Sequence, residues 1–126
     1  MTLPENVLLV EDDKDDQVFF IEALFEIHST MLCDVVNNGK EAIETLRKSV
    51  KLPSLIFMDI NMPLMNGIEC LSELKQNPRT KNIPVVMLTT SENQSEEAIK
   101  LGAKSFIIKP DNSKKLREEL SQFWPT

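Results

Sequence analysis

Short, almost wholly apolar runs recur along this chain, and between them apolar residues return at helical steps. Runs such as Val7-Leu8-Leu9-Val10 and Val85-Val86-Met87-Leu88 are too apolar for a strand with one wet face. They demand cover on both sides. Apolar strands alternating with amphipathic helices confine the chain to a doubly wound parallel sheet with helices on both faces.

The predicted elements follow that rhythm. Asn6–Val10 reads as a buried strand that runs into Glu11-Asp12-Asp13. A helix over Asp15–Ile27 carries Val18, Ile21 and Phe25 alongside Phe20, Leu24 and Ile27. Met31–Val36 is a weaker strand, Asn37-Asn38-Gly39 a turn with Asn38 as a cap, and Glu41–Lys48 a helix. Ser54–Met58 is the clearest central strand and is followed directly by Asp59. Ile60–Asn66, which holds Pro63, reads as a loop, and Gly67–Gln76 as a helix stopped by Asn77-Pro78. Ile83–Leu88 is a strand ahead of Thr89-Thr90-Ser91, and Ser95–Leu101 a short helix closed by Gly102. Ser105–Ile108 is a strand ahead of Lys109-Pro110, and Asp111–Phe123 a final helix capped by Asn112 or Ser113. The pattern is five strands and five helices in strict alternation.

At 126 residues the chain makes one domain, 1–126, large enough for a real core. Twenty acids against fourteen bases leave a net charge of −6. That balance argues against a grip on nucleic-acid phosphates, and no basic recognition helix offers direct DNA binding. Cys33 and Cys70 are too few for a disulfide scaffold and lack metal-ligand spacing. Reduced, buried thiols suit a cytoplasmic setting. The apolar runs fall far short of the ~18 residues of a membrane span, and no export signal opens the chain. The sole histidine, His28, cannot form a histidine-based zinc site.

In open α/β sheets chemistry sits at the carboxyl ends of the strands. Here those ends offer Glu11 and Asp12, Asp59, Thr89 and Lys109. Three carboxylates, one hydroxyl and one ammonium therefore converge on one rim. Like charges 4 Å apart repel by about 4 kcal/mol at an effective dielectric near 20. Three carboxylates so placed raise a pKa or bind a cation. Lys109 cannot neutralise all three, and an oxygen-only ligand set suits Mg²⁺. Asp13, Asp15 and Asp16 read instead as acids at a helix start, favoured by the helix dipole. A calcium loop beginning at Asp13 fails because Val18 stands where glycine is required. Gly39, Gly67 and Gly102 are isolated, so no phosphate-cradling loop for a nucleotide or flavin exists.

At these residues the chain resembles the receiver domain of two-component response regulators over nearly its whole length. The resemblance is carried, in order, by Leu8-Leu9-Val10-Glu11-Asp12-Asp13 and by Met58-Asp59-Ile60-Asn61-Met62-Pro63-Leu64-Met65-Asn66-Gly67. Ile83-Pro84-Val85-Val86-Met87-Leu88-Thr89-Thr90, Leu101-Gly102-Ala103 and Phe106-Ile107-Ile108-Lys109-Pro110 complete it. The acid pair followed by another Asp, with Thr-Thr-Ser after the fourth strand, is similar to small regulators serving phytochrome-type and hybrid histidine kinases.

The resemblance implies a flavodoxin-like fold with strand order 2-1-3-4-5. It implies Asp59 as phosphoacceptor, and Asp12, Asp59 and the Asn61 backbone carbonyl as ligands of Mg²⁺ or Mn²⁺, with Glu11 acting mainly through a bound water. Thr89 is expected to hydrogen-bond a phosphoryl oxygen and Lys109 to pair with Asp59 and then with the phosphoryl group. Thr89 and the strand-five aromatic Phe106 are the expected switch pair. Lys109-Pro110 is a candidate cis bond. Implied partners are a sensor histidine kinase or histidine phosphotransfer protein and a downstream protein effector, with a homodimer possible. The protein is then a phosphoacceptor and not an enzyme in the usual sense. A relay intermediate that passes the phosphoryl group on, and an unphosphorylated interaction module, are the alternatives. An aspartate-nucleophile hydrolase is disfavoured, since Asn61 stands where its second acid belongs.

Two departures from the family pattern stand out. Thr89 to Lys109 is shorter by about two residues around Glu92–Glu97, so the fourth helix should be short or its lead-in tight. Thr90 stands where alanine is more frequent. The sequence ends just past the final helix, at Trp124-Pro125-Thr126, with no output domain expected.

Overall fold

The computed structural model describes residues 3–125. Met1, Thr2 and Thr126 lie outside the described residues. Five strands, β1 (Asn6–Val10), β2 (Leu32–Val36), β3 (Leu55–Asp59), β4 (Val85–Thr89) and β5 (Ser105–Ile108), alternate with five helices. These are α1 (Lys14–Ile27), α2 (Gly39–Lys48), α3 (Gly67–Gln76), α4 (Glu92–Lys100) and α5 (Ser113–Ser121). All strand pairs are parallel and the order is β2-β1-β3-β4-β5, as the resemblance implied.

Successive strand residues point to opposite faces, so each apolar run feeds two cores. Leu8, Val10, Ile56, Met58, Val85 and Met87 pack with Ala42, Leu46, Leu71, Leu74 and Ala98 from α2, α3 and α4. Val7, Leu9, Leu55, Phe57, Val86 and Leu88 pack with Phe20, Leu24, Leu116 and Leu120 from α1 and α5. Phe57 is the centre of the second layer, with ring centroids of Phe20, Phe123 and Trp124 at 4.9, 5.6 and 6.4 Å. Truncating so buried a ring to alanine costs about 3–5 kcal/mol.

Every helix starts on a polar cap that accepts from the backbone: Asp13, Asn38, Asn66, Ser91 and Asn112. Asn66 and Glu69 form a reciprocal capping box. The caps hold each helix start close behind the strand end that precedes it, and that is where the polar rim lies.

Several boundaries move. β3 runs from Leu55 and includes Asp59, and β4 runs from Val85 and includes Thr89. Asp59 and Thr89 are thus the last members of the ladder. α5 ends at Ser121, because Phe123 and Trp124 turn back onto the core and the Trp124 indole N–H donates to Pro4 O at 2.9 Å. α4 begins at Glu92, three residues before the predicted start, because Ser91 caps it. Of the two outcomes expected from the shortened stretch, the tight lead-in is the one found: only Thr90 and Ser91 separate β4 from α4. On α1, the two apolar stripes part company. Phe20, Ala23 and Leu24 are buried, whereas Val18 and Phe25 face outward.

Candidate functional site

Glu11 follows β1 and continues its pairing, its N–H donating to Val36 O at 3.0 Å. The residue is only 1% exposed. Asp59 ends β3 opposite Leu88 of β4 and is also buried. Asp12 is exposed beside them. Carboxylate oxygens of Glu11, Asp12 and Asp59 all lie within 4.8 Å of one another.

Lys109, just past β5, supplies the counter-charge. Its Nζ lies 2.8 Å from Glu11 Oε1, 3.1 Å from Asp16 Oδ2 and 3.4 Å from Asp59 Oδ1. The backbone is pinned there by the Lys109 N–H, which donates to Thr89 O at 2.7 Å. Burial opposes the lysine charge, but hydrogen bonds and attraction from the carboxylates outweigh it, and the ammonium is held above its ordinary pKa. Burial pushes the Glu11 carboxyl up to about 7, against the pull of Lys109, with Asp59 adding repulsion. One ammonium therefore does not settle the charge of this cluster. Among the described residues no ion pair reaches Asp12. The exposed acid beside two buried ones, all oxygen donors, fits a hard divalent cation.

Thr89 is buried at the end of β4. Its hydroxyl is turned along the lead-in to α4, donating to Ser91 O at 2.9 Å and accepting from Ser91 N at 3.0 Å. Asn61, two residues past Asp59, is exposed and pairs with Gln94 of α4. Phe106 is half-buried against the α2–α4 layer and lines a surface cleft with Ser95 and Ile99. A cavity of about 380 Å³ opens beside Lys109, floored by Phe19, Phe20, Ile107 and Leu116.

The sequence reading brings Glu11, Asp12, Asp59 and Lys109 together, and the structure does the same. Two expectations need correction. No cis peptide bond occurs among the described residues, so Lys109–Pro110 is trans. The cis form of an X–Pro bond is disfavoured by about 0.5–1 kcal/mol, and the turn here is met without it. Asp16 is not merely a dipole-favoured acid, because it holds Lys109 from the first turn of α1. Its place one turn before buried Phe20 was the available signal. Gln17, Asn37 and Gln94 were missed. Buried Gln17 donates to Glu11 O at 2.6 Å and to Asn37 Oδ1 at 3.0 Å, fixing the backbone that carries the acid pair.

Such a constellation at the carboxyl edge of a 2-1-3-4-5 sheet defines a class, and comparison with known proteins agrees. The sequence model described as "response regulator receiver domain" matches residues 7–121. The chain belongs to the response regulator receiver domain family. It is 34% identical over 131 aligned positions to the response regulator Rcp1 of Synechocystis sp., covering 96% of this chain and 89% of that protein. The structure of the phosphorylated cyanobacterial phytochrome response regulator RcpA superposes with a TM-score of 0.86 at 33% identity, covering 95% of this chain and 93% of that one. The Mn²⁺-bound form of Rcp1 superposes with a TM-score of 0.82 at 34% identity, covering 96% and 94%. Receiver domains pair with sensor histidine kinases and take a divalent cation, Mg²⁺ or Mn²⁺, in an acidic pocket of this kind. No helix among the described residues is long and apolar enough to cross a membrane.

Proposed function

We propose that this chain accepts a phosphoryl group on Asp59 and thereby switches its binding to a protein partner. One observation carries the reading: a buried carboxylate ends a central parallel strand, with two further acids within 4.8 Å and an ammonium at 3.4 Å. A carboxylate oxygen of Asp59 attacks the phosphorus of a histidine phosphate or a small phosphodonor. The new O–P bond forms as the donor's P–N or P–O bond breaks. The electron pair of that bond leaves with the donor: the histidine nitrogen takes up a proton, whereas the carboxylate of an acyl phosphate leaves as the anion. Phosphoryl transfer of this loose type needs positioning and charge neutralisation more than covalent help.

Glu11, Asp12, Asp59 and the Asn61 backbone carbonyl would hold the divalent cation, with Glu11 acting through water. Bound there, the cation neutralises charge on the acids and on the phosphoryl oxygens. Lys109 faces Asp59 and supplies a positive charge that survives any physiological pH. Thr89 brings a hydroxyl to the end of the neighbouring strand. The acyl phosphate carries roughly −2 charge, which draws Lys109 and the Thr89 proton toward it. Phe106 has no hydroxyl and responds through packing. Two packed states biased by one local charge constitute the switch.

The readout supported by this structure is a protein contact, since Ile99, Leu101 and Ile108 are exposed on and after α4 and on β5. The same face would serve a second copy of the chain. A stand-alone regulator is the reading supported by the coverage of 89% of Rcp1. The two free cysteines suit a cytoplasmic setting.

Intact-mass measurement after incubation with Mg²⁺ and acetyl phosphate tests the assignment. The expected result is a gain of one phosphoryl mass, absent in Asp59→Asn. No gain, or a gain that survives in that variant, overturns it.

A further inference from the structure

The Thr89 hydroxyl has one proton and two acceptors facing it, Ser91 O at 2.9 Å and Gln94 Oε1 at 3.3 Å. Neither belongs to Asp59. To donate to a phosphoryl oxygen, Thr89 must release both. Gln94 is also tied elsewhere. Its Nε2 donates to Asn61 Oδ1 at 3.1 Å, and its Oε1 faces Asn61 Nδ2 at 3.5 Å. One half-buried amide in the first turn of α4 thus joins the end of β4 to the loop after β3. The two-residue connection Thr90-Ser91 makes this possible, because it brings the first turn of α4 back onto Thr89. Ser95, next along, is buried with its hydroxyl donating to Glu92 O, and Ala98 packs in the core. The turn that carries Gln94 is therefore anchored, so a change at the amide is passed to α4.

We propose that Gln94 is a positioning residue for phosphorylation of Asp59: a latch that holds Thr89 and Asn61 in the unphosphorylated arrangement and lets go of Thr89 when the phosphoryl group arrives. The proposal rests on Asp59 being the acceptor. Its physical content is a competition for one hydroxyl proton. Removing the latch leaves Thr89 freer to turn inward, so the phosphoryl-like state becomes easier to reach. The loss of one side-chain hydrogen bond predicts about a threefold to tenfold change in an equilibrium constant.

Beryllofluoride, a phosphoryl mimic, is titrated at saturating Mg²⁺ into the full chain and into Gln94→Met, which keeps the length of the side chain and removes its polar atoms. The expected result is about threefold to tenfold tighter binding by Gln94→Met. In a Thr89→Val background the same change should move the affinity less than about twofold, because no hydroxyl remains to be released. Unchanged or weaker binding by Gln94→Met, or an equal gain in both backgrounds, overturns the latch. A second readout does not depend on Thr89→Val. In unliganded protein the Thr89 methyl NMR signal should shift in Gln94→Met toward its beryllofluoride-bound position, and a fixed signal overturns the proposal. Failure of the parent chain to bind beryllofluoride at all would instead sink the assignment of Asp59.

Discussion

Lys109 lies nearer to Glu11 than to Asp59, at 2.8 Å against 3.4 Å. Asp16 lies between them, at 3.1 Å. The lysine is therefore first a counter-ion for buried Glu11, and Asp59 is the farthest of its three acidic neighbours. Replacing it by methionine leaves Glu11 and Asp59 buried without a cation. Breaking a buried pair from one side costs about 3 kcal/mol. Chemical denaturation at pH 7 without divalent cations should show a loss of that order in Lys109→Met, partly restored by Mg²⁺. A loss under about 1 kcal/mol would mean the pair is solvated and worth no more than a surface ion pair.

The same burial gives the metal-free protein an unusual pH response. Glu11 in the folded chain keeps its proton up to about 7, whereas an unfolded Glu loses it near 4.5. Between those values the native state holds more protons, so stability falls as pH rises, by at most about 1.4 kcal/mol per unit. Lys109 does not bend this window, because its raised pKa removes stability only above the ordinary lysine range. Denaturation midpoints in chelator from pH 4.5 to 7 should decline, and Glu11→Gln should flatten the decline. Saturating Mg²⁺ should reverse the slope, since the cation prefers the ionised acid. A midpoint that rises with pH in chelator contradicts the raised Glu11 pKa.

What was legible in the sequence is what strand ends dictate. Asp59, Thr89 and Lys109 each follow an apolar run, and a parallel sheet sends all such residues to one edge. Glu11 and Asp12 stood out from the acids after them for the same reason. What escaped is what depends on a helix's rotation or starting point. Asp16 looked like any acid at a helix start, and its turn toward Lys109 appears only once Phe20 is known to face the core. Val18 and Phe25 share the helical period of the buried residues, and periodicity alone does not say which stripe is covered. Glu92-Asn93-Gln94 has no apolar residue to announce a helix, so the apolar pattern starts one only at Ser95 and gives Gln94 no role, whereas α4 begins at Glu92.

The two thiols should be inert in the folded chain. Burial, with Asp34 nearby, pushes Cys33 up to about 11, and burial, with Glu73 nearby, pushes Cys70 up to about 12. Both are free. At pH 8 only about one part in 1,000 and one in 10,000 is thiolate, and the thiolate is the reacting form. A thiol reagent should therefore modify Cys33 before Cys70, and both at least about tenfold more slowly than in denatured protein. Rapid native labelling of Cys70 would show that α3 opens readily from the sheet.

Gly67 ties the geometry of Asp59 to the start of α3. Its N–H donates to Ile60 O at 2.8 Å, closing the loop that follows Asp59. A Cβ at this position would run into the Asp59 carbonyl oxygen and stand 2.8 Å from Ile60 Cα and 3.0 Å from Met87 Cε. Met87 Cε is the end of a flexible side chain and can move. The other two are backbone of Asp59 and of Ile60 beside it and cannot yield without moving Asp59. Gly67→Ala should therefore cost about 3 kcal/mol, at the upper end for overpacking, although alanine is the better helix former. The same substitution should slow acetyl phosphate labelling of the remaining folded protein at least about tenfold, since small displacements of reacting groups carry large rate costs. Labelling at the parent rate in a folded Gly67→Ala variant would show that the loop absorbs the methyl group without disturbing Asp59.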